Sequence, residues 1–293
     1  MDSLKRSCVV AIQRDERNLD EWARWHLDVC GFDVIFLFND MCSEHVFPED
    51  LRDRVLQAPA MAESPHMGRQ ITSYDAWLCS QDARFYDYAL FIDADEYLVL
   101  HGKKINEVME DKDWPVVGFN WVFYSSKESE GPLDSLVRRF RTRAEKPNRH
   151  LKVCLDLGKL RNYAGLMWFF ANPHCLTVRD PNGQTAFFPA KCEGTPPSQD
   201  PGGILPPGFV YAEGPFNDRT DFDPTAVPYL AHFYAKTEEE FKAKISRGRA
   251  DATRDSDQQF FRIEDRMWET RKECDLDEVE DEEMLRTLYG REI

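Results

Sequence analysis

Short apolar runs alternate with stretches of helical periodicity in the first half of the chain. The runs are rich in β-branched and aromatic side chains, as in strands that are buried on both faces. They lie at residues 8–12, 32–38, 89–92 and 116–121. Between them, residues 18–30 and 70–80 place apolar side chains on one helical face. This βαβαβ order predicts an α/β fold with a mostly parallel central sheet and flanking helices.

Two of the predicted helices have recognisable starts. Asn18 followed by Glu21 resembles a capping box, and Gly31 follows the last apolar position as a stop. A second capping-box pattern, Thr237 with Glu240, opens an amphipathic segment late in the chain. We therefore expect a helix at each of these places.

Charged and amide residues begin where three of the predicted strands end, at residues 13–16, 39–40 and 93–96. Ligands of open α/β sheets bind outside the carboxyl ends of the strands. The three clusters are therefore expected to converge on one binding edge.

Asp93 and Asp95 form a D-x-D sequence directly after the run at 89–92. Mg²⁺ or Mn²⁺ takes one or two such carboxylates and completes its shell with water and substrate phosphate oxygens. Glu96 adds a third negative charge, which would cost stability without a compensating cation. The sequence favours a divalent metal site here over a solvated acidic turn.

A D-x-D sequence after a strand also occurs in phosphohydrolases of the haloacid-dehalogenase type. Asp93 would then be the nucleophile. That motif sits on the first strand and usually continues to Thr or Val, whereas here Tyr97 follows and other predicted strands precede it. This alternative stays open as the less favoured one.

The charge of the chain is negative and unevenly spread. Its 53 acidic and 37 basic side chains give a formal charge of −16, which disfavours binding to nucleic acid or anionic lipid. Residues 264–292 carry 12 acidic and 5 basic side chains. Residues 138–161 carry nine basic side chains and two acidic ones. The basic stretch either forms a solvated face paired with the acidic tail or contacts an anionic ligand.

Residues 181–228 hold ten of the 17 prolines and six of the 15 glycines, which predicts a long irregular insertion. The eight cysteines form no C-x-x-C pair, so reduced thiols are expected. The chain shows no signal-peptide pattern and no apolar run near the ~20 residues of a membrane span. We therefore expect a cytoplasmic protein without a transmembrane segment.

Four segments together resemble GT-A nucleotide-sugar glycosyltransferases, specifically the family 2-like group related to family 92. They are VVAIQRDERNLDEWARWHLDVCGFDVIFLFND, FIDADEYLV, GFNWVFYSS followed by Lys152, and LAHFYAKTEEEFKAKISRGRAD. They span most of residues 8–251. The chain departs from the group's pattern where Asp15 replaces an Asn, where Tyr-Ser-Ser replaces Phe-Gly-Ser, and in residues 181–228.

The resemblance implies a GT-A, Rossmann-like domain over residues 1–235 that includes the insertion, with a helical acidic tail over 236–293 packed on it. It implies transfer of a sugar from a UDP- or GDP-sugar to a glycan or another hydroxyl acceptor, with Mn²⁺ or Mg²⁺ and with inversion. A non-catalytic sugar- or nucleotide-binding protein on the same fold is the alternative from another class.

The resemblance also implies roles for particular residues. The metal ligands are Asp93, Asp95 and a late histidine, assigned to His174, with His232 as the alternative. The catalytic base is assigned to Asp134, with Glu130 and Asp156 as alternatives. The residues assigned to nucleotide-sugar binding are Arg14, Glu16, Asn39, Asp40, Arg69, Asp93, Lys152, His232 and Lys236. Trp121, Phe123 and Tyr124 either line a sugar pocket or pack in the core.

Overall fold

The computed structural model describes residues 5–63, 67–110, 115–162, 166–179, 181, 185–188, 222–247, 257–276 and 278–290. Its strands are β1 (Ser7–Gln13), β2 (Val34–Asn39), β3 (Val55–Pro59), β4 (Tyr88–Asp93), β5 (Glu96–Val99), β6 (Val116–Phe123), β7 (Thr142–Ala144), β8 (Leu151–Asp156), β9 (Met167–Asn172), β10 (Cys175–Arg179), β11 (Thr185–Phe188), β12 (Tyr229–His232) and β13 (Glu278–Glu280). Its helices are α1 (Leu19–Arg24), α2 (Glu49–Arg52), α3 (Arg69–Leu78), α4 (Ile105–Glu110), α5 (Leu136–Arg139), α6 (Leu157–Arg161), α7 (Glu238–Arg247), α8 (Asp257–Glu273) and α9 (Glu283–Tyr289). A π-helical turn (Trp25–Val29) continues α1, and a 3₁₀ turn (Asp82–Phe85) precedes β4.

An eight-stranded sheet in the order β3-β2-β1-β4-β8-β6-β12-β5 forms the centre of the fold. Strands β3, β2, β1 and β4 are parallel, and β12 is parallel to β6. Strand β8 runs antiparallel between β4 and β6, and β5 is antiparallel to β12. The predicted α/β fold with a mostly parallel sheet is confirmed.

The sheet curls, because β4 and β5 are joined by only two residues although four strand spacings separate them in the sheet order. Four spacings amount to roughly 19 Å, whereas so short a connection reaches only about 10 Å. The backbone N–H of Phe233, just after β12, donates to the carbonyl of Asp95 at 3.0 Å. The curl therefore brings the end of β12 to the turn that follows β4.

The central strands of the sheet are buried on both faces, which explains the uninterrupted apolar runs of the sequence. All seven residues of β1 are buried. Val9 faces a cluster that contains Trp22 of α1, and Val10 faces one that contains Tyr74 of α3. Alternate residues of one strand thus pack against helices on opposite faces of the sheet, as expected for parallel strands.

The two predicted capping boxes have different outcomes. At α7 the prediction is confirmed, because Thr237 Oγ1 accepts the Glu240 N–H at 3.2 Å and Glu240 accepts the Thr237 N–H in return. At α1 it is wrong, because the side chain of Asn18 makes no capping bond. Its amide instead donates to the carbonyl of Ala94 at 3.1 Å and to the hydroxyl of Tyr97 at 3.0 Å. Tertiary contacts with the D-x-D turn replace the local cap.

The basic stretch 138–161 forms buried ion pairs with acidic residues from distant parts of the chain. Arg139 is 1% exposed, and its guanidinium donates to both carboxylate oxygens of Glu240 at 2.9 and 2.7 Å. Arg143 pairs with Asp281 next to the β7–β13 ladder. These two arginines therefore attach α7 and the last described segment to the central domain.

Part of the proline- and glycine-rich stretch lies within the described residues. Strand β11 belongs there and forms a three-stranded antiparallel sheet with β10 and β9. Residues 181 and 222–228 of the stretch are irregular, as predicted, and residues 182–184 and 189–221 lie outside the described residues. The cysteines of the described ranges are all free thiols, and Cys192 lies outside these ranges. None of the described helices has the length and apolar character that crossing a bilayer requires.

Asp75 joins α3 to β9, and it provides a test of the packing between them. Its Oδ1 accepts the Phe170 N–H at 2.6 Å, and burial raises the pKa of this carboxyl to about 6 although that bond opposes the shift. Since the unfolded pKa is about 3.9, ionisation of the folded carboxyl costs stability above pH 6, and this cost vanishes below about pH 4.

Asp75→Asn keeps the acceptor oxygen and removes the charge. We expect it to raise the free energy of unfolding by about 1 kcal/mol at pH 7, after allowance for solvent screening, and to leave it unchanged at about pH 4. Urea denaturation at the two pH values measures this difference. A gain of equal size at both would rule out the charge as its cause.

Candidate acidic site at the carboxyl edge of the sheet

The D-x-D turn lies where the strand order reverses. The chain passes from β1 to β2 and β3 on one side and then places β4 on the other side of β1, so the crevice between β1 and β4 is a topological switch point. Asp93 ends β4, and Glu96 begins β5. Glu96 Oε2 accepts the Asp93 N–H at 2.9 Å and holds the turn closed.

The Asp93 carboxylate accepts hydrogen bonds from one lysine ammonium group and one glutamine amide. Lys152 Nζ donates to its Oδ2 at 2.9 Å, and Gln70 of α3 donates to its Oδ1. Lys152 is fully buried on β8, and its Nζ also lies 3.8 Å from Glu96 Oε1. Burial would lower the pKa of Lys152, but Asp93 and Glu96 raise it above the usual value, so the ammonium stays charged. Burial raises the pKa of Glu96 well above its usual range.

The Asp95 carboxylate pairs with a lysine ammonium group from another helix. Lys244 of α7 donates to its Oδ2 at 2.6 Å, and His232 Nε2 lies 3.6 Å from its Oδ1. Burial alone would raise the pKa of Asp95, but Lys244 and His232 hold it well below the usual range. Burial lowers the pKa of His232, so this imidazole is neutral at pH 7.

Two further carboxylates beside the turn are paired in the same way. Glu16 binds Lys236, and its Oε1 lies 3.3 Å from the guanidinium of Arg247. Asp40, fully buried after β2, binds Arg14 and Arg69. The guanidinium groups of Arg14 and Arg247 each donate to the other's backbone carbonyl. These bonds join the two groups into one network.

The acidic turn is thus neutralised by side chains of the chain itself. Asp93 faces Lys152, Asp95 faces Lys244, and burial favours the protonated form of Glu96. The positive charge that was expected next to these carboxylates is therefore supplied by two lysine ammonium groups. The site is close to charge balance.

Asp93 pairs with Lys152, and Asp95 lies beside His232, so the D-x-D turn carries two separate contacts. Glu16 and Lys236 form a further pair, and Arg14, Asp40 and Arg69 form a group of three. Asn39 lies beside this group of three, where its Oδ1 accepts from Gln13 Nε2 at 2.6 Å.

His174, the histidine assigned to the metal, lies on the loop before β10. Its Nδ1 donates to the carbonyl of Leu151 at 2.9 Å, and its ring packs edge-on against Trp121 with centroids 5.1 Å apart. Trp121 also contacts His232, at 4.3 Å between centroids. The histidine that the structure places beside Asp95 is His232.

The candidate bases lie at two helix starts. Asp134 and Glu130 are exposed in the segment before α5, and Ser135 is the residue whose hydroxyl caps that helix, with 3.2 Å to Arg138 N. Asp156 caps α6 by accepting the Lys159 N–H at 2.8 Å. Asp156 therefore has a structural role, and Asp134 is open to solvent.

The aromatic residues after the predicted fourth strand belong to the core. Trp121, Phe123 and Tyr124 are 8%, 3% and 2% exposed. The Tyr124 hydroxyl lies 3.5 Å from that of Tyr229. The packing alternative therefore describes all three side chains better than a sugar-lining role.

Sequence reasoning omitted Lys244, Arg247 and Gln70 from the binding residues. The first two have a detectable signal, because a spacing of three residues on a predicted amphipathic helix places them on one face. Gln70 follows Arg69 at the start of a predicted helix, and nothing in its local sequence indicates that it binds Asp93. Its role depends on how α3 packs beside β4.

The donor chemistry of the turn fits a hard divalent cation. Asp95 Oδ1 and His232 Nε2 approach each other to 3.6 Å, and His232 Nδ1 is buried without a hydrogen-bond partner. In the described ranges, no group of three or more His, Cys, Asp or Glu side chains is arranged to hold a metal ion. Mg²⁺ and Mn²⁺ sites often use only one or two protein carboxylates together with substrate phosphates. The residues are compatible with such a shared site.

No protein-family model matches the chain, and no curated protein gives a significant match. The function proposed for the chain therefore depends on its own residues and their geometry.

Proposed function

We propose that the protein is a metal-dependent glycosyltransferase of GT-A type, which moves a sugar from a nucleoside diphosphate to an acceptor hydroxyl with inversion. The observation that carries this proposal is the position of the D-x-D turn. Asp93 and Asp95 lie at the topological switch point of a mostly parallel sheet, among basic side chains from several segments. This combination suits a small ligand that carries phosphate.

The basic side chains at the edge of the site match the charge of a diphosphate. Arg14, Arg69, Lys236 and Arg247 pair with Asp40 and Glu16 in one network, and Lys244 pairs with Asp95. Arginine forks bind phosphate oxygens in a bidentate manner, and lysines act as point charges. A diphosphate that binds here would gain charge-assisted contacts from these side chains.

The D-x-D turn would hold the metal through Asp95 and His232, with Asp93 beside it. When bound, the ion supplies Lewis-acid stabilisation of the leaving diphosphate. The side chains of the chain orient this site, because Glu96 closes the turn and Gln70 and Lys152 fix the Asp93 carboxylate.

The acceptor hydroxyl needs a carboxylate base on the face opposite the leaving group. We propose Asp134 for this role. It is exposed beside the start of α5, so its carboxylate is accessible to an acceptor.

Calorimetry of UDP and GDP binding, with and without Mn²⁺, tests the proposed donor class. We expect one nucleotide to bind in the presence of Mn²⁺ and at least about tenfold more weakly without it, since the metal shares the diphosphate charge. A screen of nucleotide sugars for donor hydrolysis then identifies the sugar. An affinity for nucleotide that is the same with and without Mn²⁺, or no nucleotide binding at all, would contradict the proposal.

The phosphohydrolase alternative predicts a different outcome. It requires one Asp93 oxygen to attack a phosphorus atom, so beryllofluoride should label Asp93. Both oxygens of Asp93 are engaged, by Gln70 and by Lys152, and the turn follows the fourth strand rather than the first. We expect no labelling.

A further inference from the structure

Lys244 occupies the position at which a metal ion would meet Asp95. Its ammonium lies 2.6 Å from Asp95 Oδ2 and 4.5 Å from the centroid of the Tyr234 ring. Asp95 is almost fully buried, and the side chain of Lys244 keeps 21% of its exposure. The carboxylate is therefore fixed, whereas the cation has a route toward the open edge of the site.

A divalent ion and an ammonium cannot share this carboxylate at low cost. Two positive charges about 4 Å apart repel by several kcal/mol at the effective dielectric constant of a partly buried site. A metal ion that binds Asp95 alone must displace Lys244, and the displaced ammonium then lacks a partner. Binding of the metal alone is weakened accordingly.

A diphosphate removes this penalty, because its oxygens give the displaced ammonium a new partner. Lys236 and Arg247, which flank the same site, already bind Glu16 and would face the same anion. The cations on and beside α7 therefore lie on the side of the site that an incoming diphosphate would approach.

We propose that Lys244 is an exchangeable counter-ion of Asp95, which holds this carboxylate in the free protein and passes to the donor diphosphate when a divalent cation binds. The metal ion and the nucleotide then bind cooperatively, each raising the affinity of the other by the same factor. This inference rests on the proposed function, and it assigns to α7 a part in assembling the site.

Mn²⁺ titrations of the full chain, followed by the EPR signal of free Mn²⁺, test the exchange without any activity measurement. In the wild type, whichever of UDP and GDP binds is expected to tighten Mn²⁺ binding by at least about tenfold. Lys244→Met removes the ammonium and keeps much of the apolar stem. It is expected to bind Mn²⁺ alone at least about tenfold more tightly than the wild type. Its coupling to nucleotide should be weaker than that of the wild type, because only the direct contribution of the metal sharing the diphosphate charge remains.

Two further variants serve as controls. Lys242→Met removes an exposed ammonium from the same helix, one that pairs with Glu238, and should behave as the wild type does. Lys244→Arg keeps the positive charge and should retain the weak binding of Mn²⁺ alone. Lys244→Gln is a second variant without the ammonium, with the same expected gain in affinity for Mn²⁺ alone, and it keeps the test decisive if Lys244→Met folds poorly.

The outcomes separate this inference from the proposed function. If Mn²⁺ and nucleotide bind together in the wild type but Lys244→Met leaves the affinity for Mn²⁺ alone unchanged, the exchange is wrong and the proposed function stands. Equal Mn²⁺ affinity with and without nucleotide overturns the exchange and, because the coupling is reciprocal, also contradicts the Mn²⁺-dependent nucleotide binding of the proposed function. If Mn²⁺ and nucleotide do not bind together at all, the proposed function is wrong, and the exchange that rests on it is wrong as well.

Discussion

Asp95→Asn is expected to lower the rate of donor-sugar hydrolysis by at least about 100-fold, the cost of removing a principal electrostatic group from an active site. The substitution keeps the shape of the side chain and removes the charge that would hold the metal ion. The backbone carbonyl of Asp95 still accepts the Phe233 N–H, and Lys244 still lies over the Tyr234 ring. The turn is therefore expected to fold as before.

The measurement is sugar release from the nucleotide sugar that the donor screen identifies, with far-UV circular dichroism as the check on folding. Asp82→Asn removes an exposed carboxylate from the 3₁₀ turn before β4 and is the matched control, with activity near that of the wild type. Turnover retained in a folded Asp95→Asn protein would remove the metal assignment from this residue.

Glu21→Ala is expected to destabilise the protein by about 3–5 kcal/mol, because it leaves several buried donors without an acceptor. The Glu21 carboxylate is buried and accepts at 2.9 and 3.2 Å from the backbone N–H groups of Leu136 and Val137. It also accepts from the hydroxyls of Tyr97 at 3.0 Å and Tyr289 at 2.7 Å. One side chain on α1 thus holds β5, α5 and α9 together.

Urea denaturation measures this loss, read as a shift of the midpoint at constant slope. Tyr289→Phe removes one of these donors and should cost only about 1 kcal/mol. Glu44→Ala removes an exposed glutamate and should cost almost nothing. If Glu21→Ala costs no more than Tyr289→Phe, the carboxylate does not organise these elements.

Three of the strands that sequence reasoning found are buried on both faces, and β2 is buried on one face and partly buried on the other. Strands β1, β4 and β6 contain long apolar runs for this reason. Strand β8 was missed because Lys152 interrupts its apolar pattern. A lysine in a fully buried strand is stable only beside Asp93 and Glu96, and that proximity is a property of the sheet order.

The same distinction applies to the site. Asp93 and Asp95 are two positions apart in the chain and follow a strand, so their local sequence is sufficient to identify them. His232 and Lys244 reach Asp95 from residues far along the chain. Their approach depends on the curl of the sheet and on the position of α7. The pattern of apolar and polar residues along the sequence indicates neither of these two features. For the same reason the sequence left His174 and His232 as alternatives.

The two-residue link between β4 and β5 also bears on the order in which the protein folds. Among the described residues, strand β5 pairs with β12, whose residues follow those of β5 by more than a hundred positions. Contacts between segments this distant in sequence form late, because closing the long loop between the two segments costs conformational entropy. During synthesis, Asp93 and Asp95 emerge long before His232 and Lys244. The nascent chain therefore exposes an incomplete acidic turn and an unpaired edge strand until its last third has been made.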